Sequence, residues 1–397
     1  MVLTKEEKAR LEQGFQAAFG YAPERYFSAP GRTEIGGNHT DHQRGRVLAG
    51  AVDLDTRSAV AVTGTDVVRV MSQGHGLCEV SLTDVSPRAE EQNTTAALIR
   101  GVAARFMELG CPVRGFDAYI MSTVLPGSGL SSSAAFEVLL GTVVNCLFFD
   151  GRLSPEEIAQ IGQYAENVYF GKPCGLMDQM TSAVGGLVTI DFAAGTVSPL
   201  AVDFAAWGHA LCIIDTHASH ADLTEEYAAV PGEMKAVAEQ LGKNVLSEVN
   251  EDAFYAQIPT LRQTCGDRAV LRAIHFFEEN RRVNAQCQAL ERGDFQAFLS
   301  LVKESGRSSY MYLQNVLVSG SRVHQDVALA LALCEKLLAG RGAFRVHGGG
   351  FAGTVQAFVP HEILKEFRGG VDGVLGQGSC RVLSFRREGG IELEVME

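Results

Sequence analysis

Chemistry is concentrated first in residues 123–137, Thr-Val-Leu-Pro-Gly-Ser-Gly-Leu-Ser-Ser-Ser-Ala-Ala-Phe-Glu. Gly127 and Gly129 let the backbone approach a ligand closely, and Ser131, Ser132 and Ser133 supply hydroxyls. The small apolar residues that come next suit the first turn of a helix. A helix N-terminus carries unpartnered N–H groups and partial positive charge, so this stretch is built to hold phosphate. No Gly-Lys-Ser/Thr succeeds it, which excludes a Walker loop. A flexible Gly/Ser surface loop is the competing reading. Apolar residues enter at Val124-Leu125 and leave at Val138-Leu139-Leu140, which argues against it.

The second dense segment is residues 29–42, Ala-Pro-Gly-Arg-Thr-Glu-Ile-Gly-Gly-Asn-His-Thr-Asp-His. Asn38, His39 and Asp41 suit a surface that bonds several hydroxyls of a polyol. Metal ligation by His39, Asp41 and His42 ranks lower, because the spacing is not that of a helical zinc pair and no cysteine is close. The acidic candidates are Glu166 and Asp178. On a helical wheel Ile158, Ile161, Ala165 and Val168 share one face, and Glu166 falls on its flank. Asp178 stands among apolar neighbours in Gly175-Leu176-Met177-Asp178-Gln179-Met180, with a helix cap near Gly175 as the plain alternative. Residues 348–353 spell a formal G-x-G-x-x-G, but Thr354–Val359 alternates like a strand where a dinucleotide fold needs a helix.

The elements that must carry these segments are legible as a mixed pattern. A Thr4-x-x-Glu7 capping box opens a helix to about Ala18, and Ser154-Pro155-Glu156-Glu157 opens another. Residues 46–71 read as short β runs. A helix is expected over 94–109 and a strand over 116–124, entering the phosphate loop. Strands come next at 187–192 and 210–215, helices at 267–283, 284–303 and 322–339, and a strand–glycine turn–strand unit at 344–359. This predicts α+β over a doubly wound sheet, in two domains, 1–195 and 196–397.

Apolar residues make up 46% and charged ones 20%, as in a folded protein. The net charge of −13 argues against nucleic-acid binding, and an anionic ligand would need a locally positive site. Nine cysteines without a C-x-x-C pair read as reduced thiols. No signal peptide or membrane span is expected, so the reading is a cytoplasmic protein with no membrane partner.

Taken together the segments resemble the GHMP kinases, and among them the galactokinases. Ala29–His42 resembles the pattern A-P-G-R-V-N-L-I-G-E-H-T-D-Y, Leu125–Ala135 the nucleotide motif, Gly175–Met180 the stretch G-I-M-D-Q-F, and His347–Gly353 the third, glycine-rich motif. The resemblance implies an S5-like N-terminal domain, a ferredoxin-like C-terminal domain and a site between them. It implies ATP- and Mg²⁺-dependent phosphorylation of the C1 hydroxyl of galactose. Asp178 would be the catalytic aspartate, and Arg32 would neutralise charge on the phosphoryl group. Gly127, Ser128, Gly129, Leu130, Ser131 and Ser132 would cradle phosphates, and Ser133 and Glu166 would hold the metal. His39, Asp41, Gly175 and Tyr227 would line the sugar site. Asn38 replaces the usual glutamate at the position expected to meet C6, and His42 replaces tyrosine. Galacturonate or another galactose-like sugar is therefore the alternative substrate, and a non-catalytic sugar sensor ranks below. The partners expected are the sugar and ATP, with a monomer or weak homo-oligomer.

Overall fold

The computed structural model describes residues 1–395 apart from 125–128, 173, 203, 219–222 and 324. Capping chemistry sets the helix starts. Thr4 and Glu7 form a capping box at helix Lys5–Phe19. Ser154 and Glu157 form another at Pro155–Tyr164, with proline in the first turn. Both match the sequence reading, and the helix expected over 94–109 forms as Thr95–Glu108, with Thr94 as its cap.

Three stretches differ from it. Residues 46–62 form one long strand, Arg46–Val62, whose pairing with Arg25–Gly36 shifts register between Pro30 and Arg32 and again between Glu34 and Gly36. Such irregularities let a long pair bend without breaking. The expected helices 267–283 and 284–303 divide instead into Asp267–Glu291 and Phe295–Ser308, broken where Gly293 adopts φ +71°. Beyond Tyr164 the chain winds as a π-helical segment, Ala165–Phe170. That wider turn rotates its side chains away from the α-helical pattern. Val168, expected on the apolar stripe, is 46% exposed, whereas Glu166, expected on the flank, is buried at 3%.

The larger sheet has eight strands. Its centre is the antiparallel pair Arg25–Gly36 and Arg46–Val62. Phe116–Ser122 pairs with the far half of Arg46–Val62 and runs directly into the expected phosphate loop. Leu187–Asp191 pairs with the near half, and Thr196–Leu200 with Leu187–Asp191. The smaller sheet has four strands, His209–Asp215, Ala343–His347, Thr354–Pro360 and Cys380–Leu383. Numbered along the chain, they lie in the order second, third, first, fourth. Helices join the first to the second and the third to the fourth, which is the β-α-β-β-α-β arrangement of a ferredoxin-like unit. The Gly348–Gly353 turn leads into a strand, as the alternation requires.

The second unit does not keep its own C-terminus. Ile391–Glu392 pairs with Ser28 and Phe27 of the first sheet, and Arg386 donates to Asp55 at 3.0 Å and to Ser28 at 2.7 Å. The expectation that the second domain runs to 397 is corrected here: its sheet ends at Leu383 and the tail returns to the first. An apolar seam of Ile35, Leu48, Val124 and Leu130 against Leu211, Ile213, Phe298 and Phe358 joins the two units. The candidate site lies along that seam.

Candidate active site

Strand Arg25–Gly36 presents Arg32 at the seam. The Arg32 guanidinium forks onto Asp178, Nε to Oδ1 and Nη2 to Oδ2, both at 2.7 Å, and Nη1 donates to the Gly129 carbonyl at 2.5 Å. Its backbone N–H donates to Leu130 O at 3.0 Å. Three of five guanidinium N–H groups are thereby used, leaving two for an incoming anion. Asp178 sits in the first turn of helix Met177–Val184, where its charge suits the dipole. Burial would raise its carboxyl, but the Arg32 charge and hydrogen bonds from Arg32 and Ser131 outweigh that and hold it below the usual range.

Helix Ser132–Phe148 starts at the same point. Ser131 precedes it at φ +60° and does not cap it. Its hydroxyl donates instead to Asp178 Oδ2 at 2.6 Å. The first-turn N–H groups therefore face the site without a side-chain cap, which is what phosphate binding requires. Gly129, Leu130, Ser131, Ser132 and Ser133 all stand there; Gly127 and Ser128 lie outside the described residues.

Two residues on from Ser131, Ser133 Oγ meets Glu166 Oε1 at 3.3 Å, and Lys172 Nζ meets the same oxygen at 3.2 Å. Gln179 Nε2 bridges Glu166 Oε2 at 2.8 Å and Glu137 Oε2 at 2.9 Å. Glu137 is fully buried, and burial together with the neighbouring Glu166 charge pushes its carboxyl well above the ordinary range. Sequence reasoning misses Glu137, Lys172 and Gln179. Glu137 lies one turn after Ser133, so helical spacing points to it; Gln179, next to Asp178, faces another way and leaves no such signal.

On the sugar side, Asp41 Oδ2 lies so close to the Gly175 Cα that any side chain there would overlap it. His39 Nε2 meets Gly349 O at 3.0 Å. Burial foremost lowers the His39 imidazole to about 4, so the ring is neutral and donates. Tyr227, in the first turn of helix Thr224–Gln240, donates to Gly350 O at 2.8 Å and lies over Gly349. Asp41 thus meets Gly175, and His39 and Tyr227 meet the Gly349–Gly350 turn. Asn38 does not join them. It is fully buried, with Nδ2 donating to Glu34 Oε1 at 3.1 Å and Gly348 O at 2.7 Å. Its Oδ1 accepts from Ser309 at 3.2 Å and Asn315 at 2.9 Å. Both polar ends are taken by protein, so the expectation that Asn38 binds the sugar is corrected. The metal reading of His39, Asp41 and His42 also finds no support: among the described residues no group of three such side chains is arranged for a metal ion.

Three buried imidazoles, those of His39, His275 and His347, are lowered by burial foremost. The unfolded chain therefore takes up protons first as pH falls below about 6.5. Stability should be full above that value and decline towards pH 4, by up to about 1.4 kcal/mol per pH unit for each histidine. Urea melts at pH 7, 5.5 and 4.5 measure it, and a midpoint independent of pH would contradict the neutral assignments.

An uncapped helix start, an arginine–aspartate fork and a buried carboxylate beside a serine suit a phosphate-bearing ligand at the seam. Known proteins agree. The family model "GHMP kinases N terminal domain" matches residues 97–186, and "Galactokinase galactose-binding signature" matches residues 13–62. A galactokinase of Glaesserella parasuis is 32% identical over 364 residues, 89% of this chain and 90% of the relative. One from Streptomyces coelicolor is 31% identical over 87% of each. The crystal structure of Lactococcus lactis galactokinase complexed with galactose superposes with a TM-score of 0.85 at 24% identity, covering 97% of this chain and 99% of that one. The chain belongs to the galactokinase family.

Proposed function

We propose that the protein transfers the γ-phosphoryl group of ATP to the C1 hydroxyl of D-galactose. The observation that carries this reading is the Arg32–Asp178–Ser131 constellation at the open start of helix Ser132–Phe148. Phosphoryl transfer asks mainly for positioning and charge stabilisation. The helix start and residues 129–133 hold the phosphates, while the two spare N–H groups of Arg32 meet charge on the transferred group. Asp178, already ionised and held by Arg32, is a weak base, so it orients the C1 hydroxyl and accepts its proton late. Asp41, His39, Gly175 and Tyr227 hold the sugar. In this reading the first unit, which keeps strand Thr196–Leu200 beyond the expected boundary at 195, supplies the phosphate loop, and the second, built on the sheet from His209 to Leu383, closes the sugar side. The active species is a monomer or weak homo-oligomer in the cytoplasm.

The test is ATP consumption against galactose, galacturonate and other hexoses, with the product checked for a phosphate on C1. Galactose should be the preferred sugar. A preference for galacturonate would replace the substrate in this reading.

The same reading includes Mg²⁺. Ser133 Oγ and Glu166 Oε1 are hard oxygens on one side of the phosphate site, and Glu137 Oε1 and Gln179 Oε1 are buried beside them with no hydrogen-bond partner. That donor set fits a hard cation held by few protein oxygens plus phosphates and water. Mg²⁺ supplies charge neutralisation at the phosphates. Ser133→Ala and Glu166→Ala should each raise the Mg²⁺ needed for half-maximal rate by about tenfold, partly relieved by excess metal. Titration curves overlaying the wild type would remove both from the ligand set.

A further inference from the structure

His347, on the last position of strand Ala343–His347, is buried between the two units. Its Nε2 lies 3.3 Å from the Glu34 backbone N–H and 3.0 Å from Thr33 Oγ1. A backbone N–H can only donate, so Nε2 carries a lone pair. Thr33 Oγ1 already accepts from Gln356 Nε2 at 2.8 Å, and its own proton is directed at the ring. The proton of the neutral ring is then on Nδ1, donated to Thr354 Oγ1 at 2.9 Å. Burial foremost, with the Arg32 and Arg345 charges behind it, keeps a second proton off.

The His347–Thr354 pair also forms the wall against which Gly129 lies. Gly129 has φ +71°, and a Cβ there would overlap Thr354 Oγ1 and come within 3.0 Å of His347 Nδ1. The Gly129 carbonyl in turn receives Arg32 Nη1. One imidazole thus contacts the strand residues just after Arg32 on one side and backs the turn that holds the Arg32 side chain on the other.

We propose that His347 is a positioning residue, which as the Nδ1–H tautomer fixes Thr33–Glu34 relative to Gly129 and so sets the aim of the Arg32–Asp178 fork. It touches no substrate and acts through Arg32. The proposal rests on the kinase reading for its kinetic consequence, but its tautomer does not.

In ¹⁵N-histidine spectra, with the signal assigned by its loss in His347→Gln, His347 should show a proton-bearing Nδ1 and an unprotonated Nε2 from pH 5 to 8. A protonated Nε2 overturns the assignment whether or not any sugar is phosphorylated. Kinetically, His347→Leu keeps bulk but satisfies none of the three partners; kcat should fall by about tenfold or more with both KM values within about threefold. His347→Gln places an acceptor where Nε2 stands and should restore kcat to within about threefold of wild type. Should the leucine variant not fold, Thr354→Val removes only the Nδ1–H acceptor and should lower kcat in the same direction. Folded His347→Leu and Thr354→Val enzymes with wild-type kcat, or a fall in stability alone, would overturn the positioning role.

Discussion

Asp178→Asn should lower turnover of galactose by about 10²–10⁴-fold, the range over which positioned acid–base groups act. Both carboxylate oxygens accept from fixed donors, Oδ1 from Arg32 Nε and Oδ2 from Arg32 Nη2 and Ser131. An amide must turn its NH₂ group towards one of these donors. In the proposed reading the substitution therefore removes the proton acceptor and also loosens the arginine proposed to face the phosphoryl group. Galactose is held, in the same reading, by Asp41, His39, Gly175 and Tyr227, so calorimetry should find its affinity within about tenfold of wild type. A variant turning over at near wild-type rate would take Asp178 out of the reaction. Because the carboxyl lies below its ordinary range, kcat/KM should show no ionisation of Asp178 between pH 5 and 8. An acid limb there, abolished by the substitution, would mean that the carboxyl is protonated in that window.

Much of this site is legible in the sequence because its chemistry is local. The loop at 123–137 declares a helix start through its small residues, and the helix does begin at Ser132. Capping boxes at Thr4 and Ser154 name their own helix ends. Contact between distant segments leaves no such mark. Ser131 reads as a phosphate-loop hydroxyl, yet it donates to an aspartate 47 residues away. The π-helical turn at Ala165–Phe170 leaves no signal in a 3.6-residue pattern, so that pattern puts Glu166 at a flank instead of inside. The return of Ile391–Glu392 to the first sheet depends on an edge that only the assembled strands create. His347, Arg345 and Glu34 read as unrelated charged or polar residues until the two sheets meet.

Asn38 shows the same limit most sharply, and its substitution carries the second large effect. By the family pattern, it stands where a glutamate would meet C6, and Asn38→Glu would then sharpen rejection of a uronate. Its surroundings predict something else. Asn38 Nδ2 donates to Glu34, whose Oε1 also receives Arg345 Nη2 at 2.5 Å, and all of these groups are buried. A carboxylate at 38 would lose both donors, face Glu34 at close range, and leave the Gly348 carbonyl without its partner. Arg345 keeps a buried Nε without a partner, but its single positive charge is already matched by Glu34, so a second carboxylate there would be left uncompensated. An uncompensated buried charge costs about 3–5 kcal/mol, and that loss is expected in the unfolding free energy of Asn38→Glu. The ratio of kcat/KM for galactose over galacturonate, measured on the folded fraction, should stay where it is in the wild type. Equal stability with a changed ratio would put the side chain in the sugar site after all. Denaturation and the two-sugar assay on one preparation separate these outcomes, because the buried network controls the first and the sugar pocket the second.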